Sequence, residues 1–318
     1  MSSYKTKYFI YGFIAAVSFL FIQCREDNED IKTPVTENVI VVVIDGPRFS
    51  ETWGDSAGSL MPFMKDSMLA SGVLLANFFN DGATETTAGH TAMLTGYYQT
   101  INNSGQELPD HPSVFQYFLK HNNLDSTSAW VITSKDKLEV LTDCKDSAWQ
   151  HQFRPARDCG ISGLGSGNRE DSLTLTRALD IFDTYHPNLT LIHFKEPDVS
   201  AHAGDWQAYV RGIRDGDRWA FAVWKFIQND PVYANRTTLF VTHDHGRHVD
   251  GISNGFVSHG DSCPGCRHIS LFAYGPEFDQ DRIIIDRYSQ IDLPVTIASL
   301  LGFTMEGTDG KKIEDLYK

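Results

Sequence analysis

Apolar and polar positions follow two patterns that alternate along this chain. Short continuous runs rich in β-branched and aromatic residues predict strands buried on both faces, namely NVIVVVID, GVLLANFF, SAWVITS, LTLIHF, TTLFVTH and HISLFAYG. Longer stretches between them predict helices, including LMPFMKDSMLA, PSVFQYFLKH, EDSLTLTRALDIFDTY and WQAYVRGIRDGDRWAFAVWKFIQ. This alternation predicts an α/β fold with a doubly wound, mainly parallel central sheet and helices on both faces. No break in composition divides residues 37–318, so we expect them to form one domain.

The beginning of the chain follows a different pattern. Two lysines precede an apolar run from Tyr8 to Ile22, and Cys24 follows soon after. This order is that of an export signal, and ~15 apolar residues are fewer than the ~20 that a membrane-spanning helix needs. We expect residues 1–23 to be a lipoprotein-type signal peptide and residues 24–36 an acidic tether. Cys24 resembles the lipidated cysteine of bacterial lipoproteins, which implies export and a membrane anchor in the cell envelope, on its periplasmic or surface face. A plain signal peptide or an anchor helix is the alternative.

Composition narrows the class of partner. The 318 residues are 41% hydrophobic and 21% charged, which is typical of a globular protein with a full core. The formal net charge is -14, and no basic stripe along the chain offsets it. We therefore expect no binding to a nucleic-acid duplex.

Four cysteines remain once Cys24 is assigned to a lipid. An even number of thiols in an exported protein predicts two disulfides, Cys144 with Cys159 and Cys263 with Cys266. The segment CPGC that contains the second pair is alternatively half of a zinc site or a redox pair. No second CxxC segment accompanies it in the sequence, which weakens the four-thiolate form of the zinc interpretation.

Three of the predicted strands lead into an aspartate. Asp45 follows VIVVVI, Asp198 follows LIHFKEP and Asp244 follows LFVTH. Ligands bind beyond the carboxyl ends of the strands in such sheets, so we expect the three carboxylates to gather there. Carboxylates that share a site repel each other, and a bound cation is the simplest explanation for them. The alternative is that each aspartate caps a turn or a helix.

Histidines accompany these aspartates. His202 lies four residues after Asp198, His245 adjoins Asp244, and His259 lies in a glycine-bearing loop before the next strand. A mixed set of aspartate and histidine ligands favours zinc over magnesium or calcium. The set is too large for one tetrahedral ion, and the sequence therefore predicts two zinc ions.

The segment DGATETTAGHTAMLTG combines small residues with threonines at the start of a predicted helix. Hydroxyl groups and free backbone N–H groups at the positive end of a helix dipole suit an anion and an alkoxide nucleophile. The alternative is that Thr84, Thr86 and Thr87 only cap the helix.

Taken in order, these segments resemble the alkaline phosphatase superfamily, and most closely its nucleotide pyrophosphatase/phosphodiesterase branch. The resemblance extends from residue 38 to about residue 302. The segments that carry it are VIDG (43–46), TTAGH (86–90) with TG (95–96), EPDVSAH (196–202), DHG (244–246), HG (259–260) and FAYGP (272–276).

The resemblance implies a role for each matching residue. Thr86 is the expected nucleophile, and Thr87 competes with it because Ala88 replaces the proline of the motif. One zinc ion is expected to be held by a group that includes this nucleophile: Asp45, Thr86, Asp244 and His245. The other ion is expected to be held by Asp198, His202 and His259.

Three further histidines lie near these segments. His268 competes with His259 for the last ligand position, but its place at the start of a strand, in CRHISLF, predicts a packing role. We expect His243 and His248 to be supporting partners of the ligands or surface residues.

The implied activity is hydrolysis of small phosphate esters through a phosphothreonine, of the phosphodiesterase or nucleotide pyrophosphatase type. Asn103, or Asn102, is the candidate for a hydrogen bond to a phosphoryl oxygen. The segment TSKDKLEV resembles the K-x-R pair of some monoesterases of the superfamily, through Lys135 and Lys137, with a solvated lysine pair as the alternative. The competing functions are a phosphomonoesterase, a phosphotransferase and a non-catalytic surface metal-binding protein. A formylglycine sulfatase is disfavoured because Thr86 cannot be oxidised to an aldehyde.

Overall fold

A mixed sheet forms the centre of the computed structural model, which describes residues 35–318. Its nine strands within this range are β1 (Asn38–Ile44), β2 (Val73–Phe79), β3 (Ala129–Thr133), β4 (Ala156–Cys159), β5 (Leu189–Phe194), β6 (Thr237–Thr242), β7 (His268–Tyr274), β8 (Arg282–Ile284) and β9 (Tyr288–Ser289). The strand order is β4-β3-β5-β1-β6-β7-β2-β8, and β9 also pairs with β2. The predicted signal peptide, most of the tether and Cys24 lie outside the described residues.

Most neighbouring strands are parallel. β1 pairs in parallel with β5 on one side and with β6 on the other, so that Val42 lies between Ile192 and Val241. β7 is antiparallel to both β6 and β2, and β2 therefore runs in the same direction as β6. The predicted doubly wound, mainly parallel sheet is confirmed. The six predicted strands correspond to β1, β2, β3, β5, β6 and β7, whereas β4, β8 and β9 are too short to stand out in the sequence.

The helices lie between the strands, with bounds α1 (Thr86–Thr95), α2 (Val114–Asn122), α3 (Asp171–Tyr185), α4 (Asp198–His202), α5 (Trp206–Asn229), α6 (Pro264–Arg267) and α7 (Asp292–Leu300). The predicted helix in LMPFMKDSMLA is instead a π-helical turn over Phe63–Met68 that continues into a 3-10 turn. The carboxylate of Asp217 accepts hydrogen bonds from the N–H groups of Phe63 and Met64 and so caps this turn. Among the helices of residues 35–318, none has the length and apolar character needed to cross a membrane.

Both faces of the sheet are buried. Alternate residues of β1 point in opposite directions, and all seven of them are buried. Val39, Val41 and Val43 pack in a core with α1, α2 and α7, whereas Ile40, Val42 and Ile44 pack in a second core with α3 and α5. This two-sided cover explains why β1 is a continuous apolar run instead of an alternating one.

The two predicted disulfides are wrong for this structure, because Cys144, Cys159, Cys263 and Cys266 are all free thiols. Cys159 ends β4, and its Sγ lies 3.6 Å from the carbonyl oxygen of Val131 on the neighbouring strand. Cys263 precedes α6, where its Sγ accepts a hydrogen bond from the backbone N–H of Cys266 at 3.3 Å. Tertiary packing gives the thiols of Cys159 and Cys263 local partners, which a count of cysteines cannot reveal.

The burial of β1 on both faces leads to a test of the fold. Ile40 is fully buried, whereas Ile285 is 74% exposed. We expect Ile40→Val to lower the free energy of unfolding by about 0.5–1.5 kcal/mol through the loss of one buried methylene, and Ile285→Val to change it by much less. Urea denaturation measures both values. Equal effects of the two substitutions would contradict the two-sided burial.

Candidate metal centre

Three aspartates meet at one edge of the sheet. Asp45 directly follows β1, Asp244 lies two residues beyond β6, and Asp198 is the first residue of α4 after β5. These strands are adjacent and parallel, so their carboxyl ends lie side by side. All three side chains are buried. The structure thus brings together the carboxylates that the strand ends led us to expect there.

The turn after β1 requires a glycine. Gly46 has a φ of +61°, a conformation that other residues rarely adopt. A Cβ atom here would lie 2.7 Å from His245 Cε1 and 3.0 Å from Arg247 Nη1. The backbone N–H of Gly46 also donates a hydrogen bond to Asp244 Oδ1 at 3.2 Å. Glycine therefore lets the chain pass close to the residues of the centre.

Three buried atoms of this centre converge without hydrogen bonds. They are Asp45 Oδ1, Asp244 Oδ2 and His245 Nε2. His245 Nε2 lies 3.5 Å from Asp45 Oδ1 and 3.4 Å from Asp244 Oδ2. Buried polar atoms almost always have a hydrogen-bond partner, and three that face one another without any fit a bound cation. We call Asp45, Asp244 and His245 the first ligand group.

The other atom of each of these side chains is held by the protein. Asp45 Oδ2 lies 2.8 Å from His193 Nε2. Asp244 Oδ1 accepts the backbone N–H of His245 at 3.1 Å, in addition to that of Gly46. His245 Nδ1 lies 2.9 Å from the carbonyl oxygen of Gly246, and donation from Nδ1 leaves the Nε2 lone pair free. These bonds aim one atom of each residue at the centre.

A second ligand group consists of Asp198, His202 and His259, with one ligand atom from each lying within 4.8 Å of the others. His202 Nε2 and His259 Nε2 lie 3.0 Å apart, and they lie 3.3 Å and 3.4 Å from Asp198 Oδ1. Asp198 and His202 share one face of α4 because they are four residues apart. His259 comes from a distant loop, where its Nδ1 lies 2.7 Å from the carbonyl oxygen of Thr84. The two groups adjoin, since ligand atoms of Asp45, Asp198 and His245 also lie within 4.8 Å of one another.

Burial and charge shift the pKa values in this centre in opposite directions. Burial and the nearby Asp45 carboxylate raise the pKa of Asp244 well above its ordinary value. Burial would also raise the pKa of Asp45, but the ammonium of Lys135 and the hydrogen bond from His193 together outweigh it, and the pKa of Asp45 is lowered. Burial and the neighbouring His259 hold the pKa of His245 well below its ordinary value. His245 is therefore a neutral imidazole, which is the form that binds a metal ion.

Lys135 joins the two ligand groups. Its Nζ lies 2.7 Å from Asp45 Oδ2, 2.6 Å from Asp198 Oδ2 and 3.2 Å from Thr86 Oγ. Only 5% of this residue is exposed. Burial would lower the pKa of Lys135, but Asp198 and Asp45 outweigh it and raise the pKa. The alternative interpretation of Lys135 as an ordinary solvated lysine is therefore wrong.

The start of α1 separates the two candidate nucleophiles. The hydroxyl of Thr86 accepts a hydrogen bond from Lys135. In contrast, the hydroxyl and the backbone N–H of Thr87 both donate to Asn103 Oδ1, at 2.9 Å and 3.0 Å. Lys137 Nζ donates to the same oxygen at 2.8 Å, and burial together with the charge of Lys135 lowers the pKa of Lys137 to about 8. Thr86 is thus the threonine that faces the ligand groups.

Asn103 is the asparagine that lies beside these threonines. Asn102 is exposed, and its Oδ1 accepts the backbone N–H of Ser104 at 3.0 Å.

His268 and His243 have partners outside the two ligand groups. His268 Nε2 lies 2.8 Å from the carbonyl oxygen of Ala76, and its ring stacks on aromatic neighbours, as its position at a strand start suggested. His243 Nδ1 lies 2.9 Å from the carbonyl oxygen of Ile44 and supports the end of β1.

Two residues of the centre were missed by the sequence analysis. His193 interrupts the apolar strand LTLIHF, and a polar residue inside a buried strand was a signal that it has a buried partner. Arg247 is fully buried, and its Nη1 donates to Asp198 Oδ1 at 2.5 Å. No local pattern distinguishes Arg247 from a surface arginine, because its partner lies 49 residues away in the chain.

A mainly parallel α/β sheet with aspartates and histidines at its carboxyl edge defines an alkaline phosphatase-like metalloenzyme, a class for which a divalent metal ion is implied. The sequence matches the model of the Metalloenzyme superfamily over residues 22–268, and the chain belongs to that superfamily. It is 20% identical over 304 residues to GPI ethanolamine phosphate transferase 1 of Mus musculus, with 85% of this chain covered. The chain spans 32% of the length of that relative.

Solved structures with the same fold include a phosphodiesterase, a phosphatase and a synthase. Murine ectonucleotide pyrophosphatase/phosphodiesterase 5 is 16% identical, with 89% of this chain and 100% of that chain covered and a TM-score of 0.61. Wild-type alkaline phosphatase PafA is 12% identical, with 91% and 100% covered and a TM-score of 0.67. The lipoteichoic acid synthase LtaP from Listeria monocytogenes is 14% identical, with 87% and 74% covered and a TM-score of 0.62. Identities this low establish the fold alone. The match to the superfamily model, together with this fold, confirms the expected resemblance to the alkaline phosphatase superfamily.

The repulsion between buried carboxylates leads to a test of the first ligand group. We expect Asp244→Asn to raise the melting temperature of the metal-free protein, because the amide replaces a buried carboxylate that Asp45 repels. A gain of 1 kcal/mol corresponds to a rise of about 2–4 °C in a domain of this size. Added zinc should then stabilise the variant less than the natural protein, since one ligand is lost.

Thermal unfolding with a chelator and with zinc measures both effects. Asp217→Asn is the matched control, because Asp217 is a buried carboxylate that caps the turn at Phe63. It should leave the zinc-induced rise unchanged. An undiminished rise in Asp244→Asn would exclude Asp244 as a ligand.

Proposed function

We propose that this chain is a two-zinc hydrolase of phosphate esters in which Thr86 is the nucleophile. The observation that carries the proposal is the position of Lys135 Nζ, which contacts Asp45, Asp198 and Thr86 Oγ. The candidate nucleophile and both ligand groups therefore meet at one point. The first ligand group would hold one ion and the second ligand group the other.

The donor set supports zinc as the metal. Imidazole nitrogens and carboxylate oxygens together suit zinc, whereas magnesium and calcium prefer oxygen ligands alone. Bound zinc supplies Lewis-acid stabilisation of negative charge on the phosphoryl oxygens and favours the deprotonated form of a hydroxyl group.

Each side chain of the centre would have its own role in the reaction. Thr86 Oγ attacks phosphorus, a P–O bond to threonine forms, and the P–O bond to the leaving group breaks. The hydroxyl proton of Thr86 passes to solvent, and the leaving oxygen takes a proton from water to become an alcohol. Water then cleaves the phosphothreonine and releases phosphate. The ammonium of Lys135 contacts Asp45, Asp198 and Thr86, and it would hold a phosphoryl oxygen beside Thr86 once a bound ion replaces it on a carboxylate. Asn103 Oδ1 is already occupied by Thr87 and Lys137, so its amide nitrogen remains as the donor to the substrate.

The buried lysines bear on the choice between monoesters and diesters. The sequence alone favoured a diesterase, with the resemblance of Lys135 and Lys137 to a monoesterase pair as the contrary signal. A phosphomonoester carries about one more negative charge than a diester at neutral pH. Lys135 is buried against the nucleophile, where an ammonium offsets that extra charge more strongly than on the surface. We therefore favour a small phosphomonoester as the substrate.

The named relatives support small phosphate esters more broadly. The murine neighbour was solved in complex with AMP, and PafA is an alkaline phosphatase. A phosphotransferase is the second candidate, because the curated mouse relative is an ethanolamine phosphate transferase and LtaP is a synthase. Export and a lipid on Cys24, which we propose from residues 1–36, would place either activity at a membrane surface.

The role of Thr86 is tested by its removal. We expect Thr86→Ala to keep the fold and the bound metal but to lose nearly all turnover, because the covalent step is removed. Thr87→Ala is the matched control and should retain most activity, since Thr87 faces Asn103. Steady-state kinetics, with mass spectrometry of acid-quenched enzyme to detect phosphothreonine, measures both variants. Loss of turnover in Thr87→Ala alone would move the nucleophile by one residue.

The preference for monoesters is tested at Lys135. We expect Lys135→Ala to lower kcat/KM for an aryl phosphate monoester by roughly 10–100-fold, the equivalent of a charge-assisted contact of about 1–3 kcal/mol. The value for the corresponding diester should change little. Lys145→Ala is the control, because Lys145 is a partly exposed lysine paired with Glu107 and Asp110. Equal losses on both substrates would mean that Lys135 only positions the centre.

A further inference from the structure

A separate cluster of metal-binding side chains lies beside the metal centre and shares no residue with it. The cluster consists of His248, Asp261, Cys263 and Cys266, and one ligand atom from each lies within 4.8 Å of every other. We propose that these four residues bind a third metal ion, a structural zinc. The sequence left half of a zinc site at CPGC as an alternative, with no second CxxC to complete it, and the fold supplies a histidine and an aspartate in its place.

The histidine and the aspartate are oriented for this role. His248 Nδ1 lies 3.0 Å from Ser258 Oγ, which leaves Nε2 pointing into the cluster. Nε2 is buried and makes no hydrogen bond, although it lies only 3.0 Å from Asp261 Oδ2. Asp261 Oδ1 accepts the backbone N–H of Cys263 at 2.9 Å, so Oδ2 is the free oxygen. Each side chain thus has one polar atom fixed by the protein and the other directed at the same point.

The two cysteines complete a zinc donor set. They are spaced as CxxC, the usual spacing of paired zinc thiolates, and the N–H of Cys266 donates to Cys263 Sγ at 3.3 Å. Thiolate sulfur, imidazole nitrogen and carboxylate oxygen are the three kinds of ligand that zinc binds in proteins, and the two sulfur atoms favour zinc over magnesium or calcium. Two thiolates and the Asp261 carboxylate carry three negative charges, which more than neutralise a divalent ion. Four protein ligands leave no open position, which distinguishes a structural ion from a catalytic one.

The location of the cluster explains what such an ion would do. His248 and Asp261 stand at the two ends of the loop 249–260, which carries His259 of the second ligand group. Beyond this loop, Thr84 Oγ donates to the carbonyl oxygen of Asp261 at 2.7 Å, and the carbonyl oxygen of Thr84 lies 2.7 Å from His259 Nδ1. An ion bound by His248 and Asp261 would hold the two ends of loop 249–260 together. It would thereby reduce the conformational entropy that the loop loses when His259 takes its position in the second ligand group.

The test compares zinc content in the full-length protein and in cysteine variants, purified without chelator. We expect Cys263→Ser and Cys266→Ser each to lose about one equivalent of zinc per chain, as loss of a thiolate from a closed four-ligand site requires. Cys144→Ser, a buried thiol outside the cluster, should lose none. Asp261→Asn, at an exposed position that is safe for folding, should weaken retention of the same ion against a chelator. Unchanged zinc content in both cysteine variants would overturn the proposal.

A second measurement, which begins with the natural protein, separates this site from the catalytic centre. The protein reconstituted with cobalt should show a thiolate-to-cobalt charge-transfer absorption, because the catalytic ligand groups contain no sulfur. Asp198→Ala should leave that absorption intact even if it abolishes turnover. A Cys263–Cys266 disulfide in the natural protein, detected by mass spectrometry, would also exclude the site. The proposed catalytic function would be unaffected by that result.

Discussion

Three carboxylates buried at one edge of a sheet repel one another, and much of the surrounding structure compensates for that repulsion. Two like charges 4 Å apart cost roughly 4 kcal/mol at an effective dielectric constant of 20. Lys135 offsets part of this cost by contacting Asp45 and Asp198, and Arg247 contacts Asp198 from another side. Asp244 has no such ion pair with either cation, and its raised pKa records the charge that remains uncompensated.

The uncompensated charge is also what makes the edge useful. A cation bound between Asp45, Asp244 and His245 would satisfy three atoms that otherwise have no hydrogen bond. The cost of assembling these residues is met by the packing of β1 and its neighbours, whose side chains are buried on both faces. The stable core on both faces of the sheet thus holds in place an edge whose carboxylates repel one another until a cation binds.

The elements around this edge of the sheet pack so closely that two positions have no room for a side chain. Gly46 allows the chain to turn against His245, and Gly89 allows α1 to pack directly on the backbone of Asp244, where a Cβ would collide with the carbonyl oxygen. The close packing of α1 places Thr86 within reach of Lys135. The Thr86 hydroxyl at the start of α1 is therefore held rigidly beside the aspartates at the strand ends. Such fixed geometry suits a reaction that depends on the orientation of the reacting groups.

The sequence by itself determined the strands, most of the helices and the position of the carboxylates, because these depend on local periodicity and on the rule that parallel strands end at one edge. It also indicated, through ordered motifs, the superfamily to which the chain belongs. The motif favoured Thr86 over Thr87 as the nucleophile, but adjacent residues at a helix start differ only in the direction of their side chains, which the sequence does not show. In the fold, Thr86 Oγ contacts Lys135 whereas Thr87 Oγ contacts Asn103.

Only the tertiary structure shows whether the cysteines form disulfides and which charged side chains are buried. An even count of thiols suggested disulfides, yet Cys144 and Cys159 remain free, and Cys263 and Cys266 lie beside His248 and Asp261 instead. Arg247 looks like a surface residue in the sequence, and Lys135 could be either a site residue or a solvated one, whereas both are buried ion-pair partners of Asp198 in the fold. These pairings join positions far apart in the chain, and only the packing of the sheet and its loops brings such positions within bonding distance.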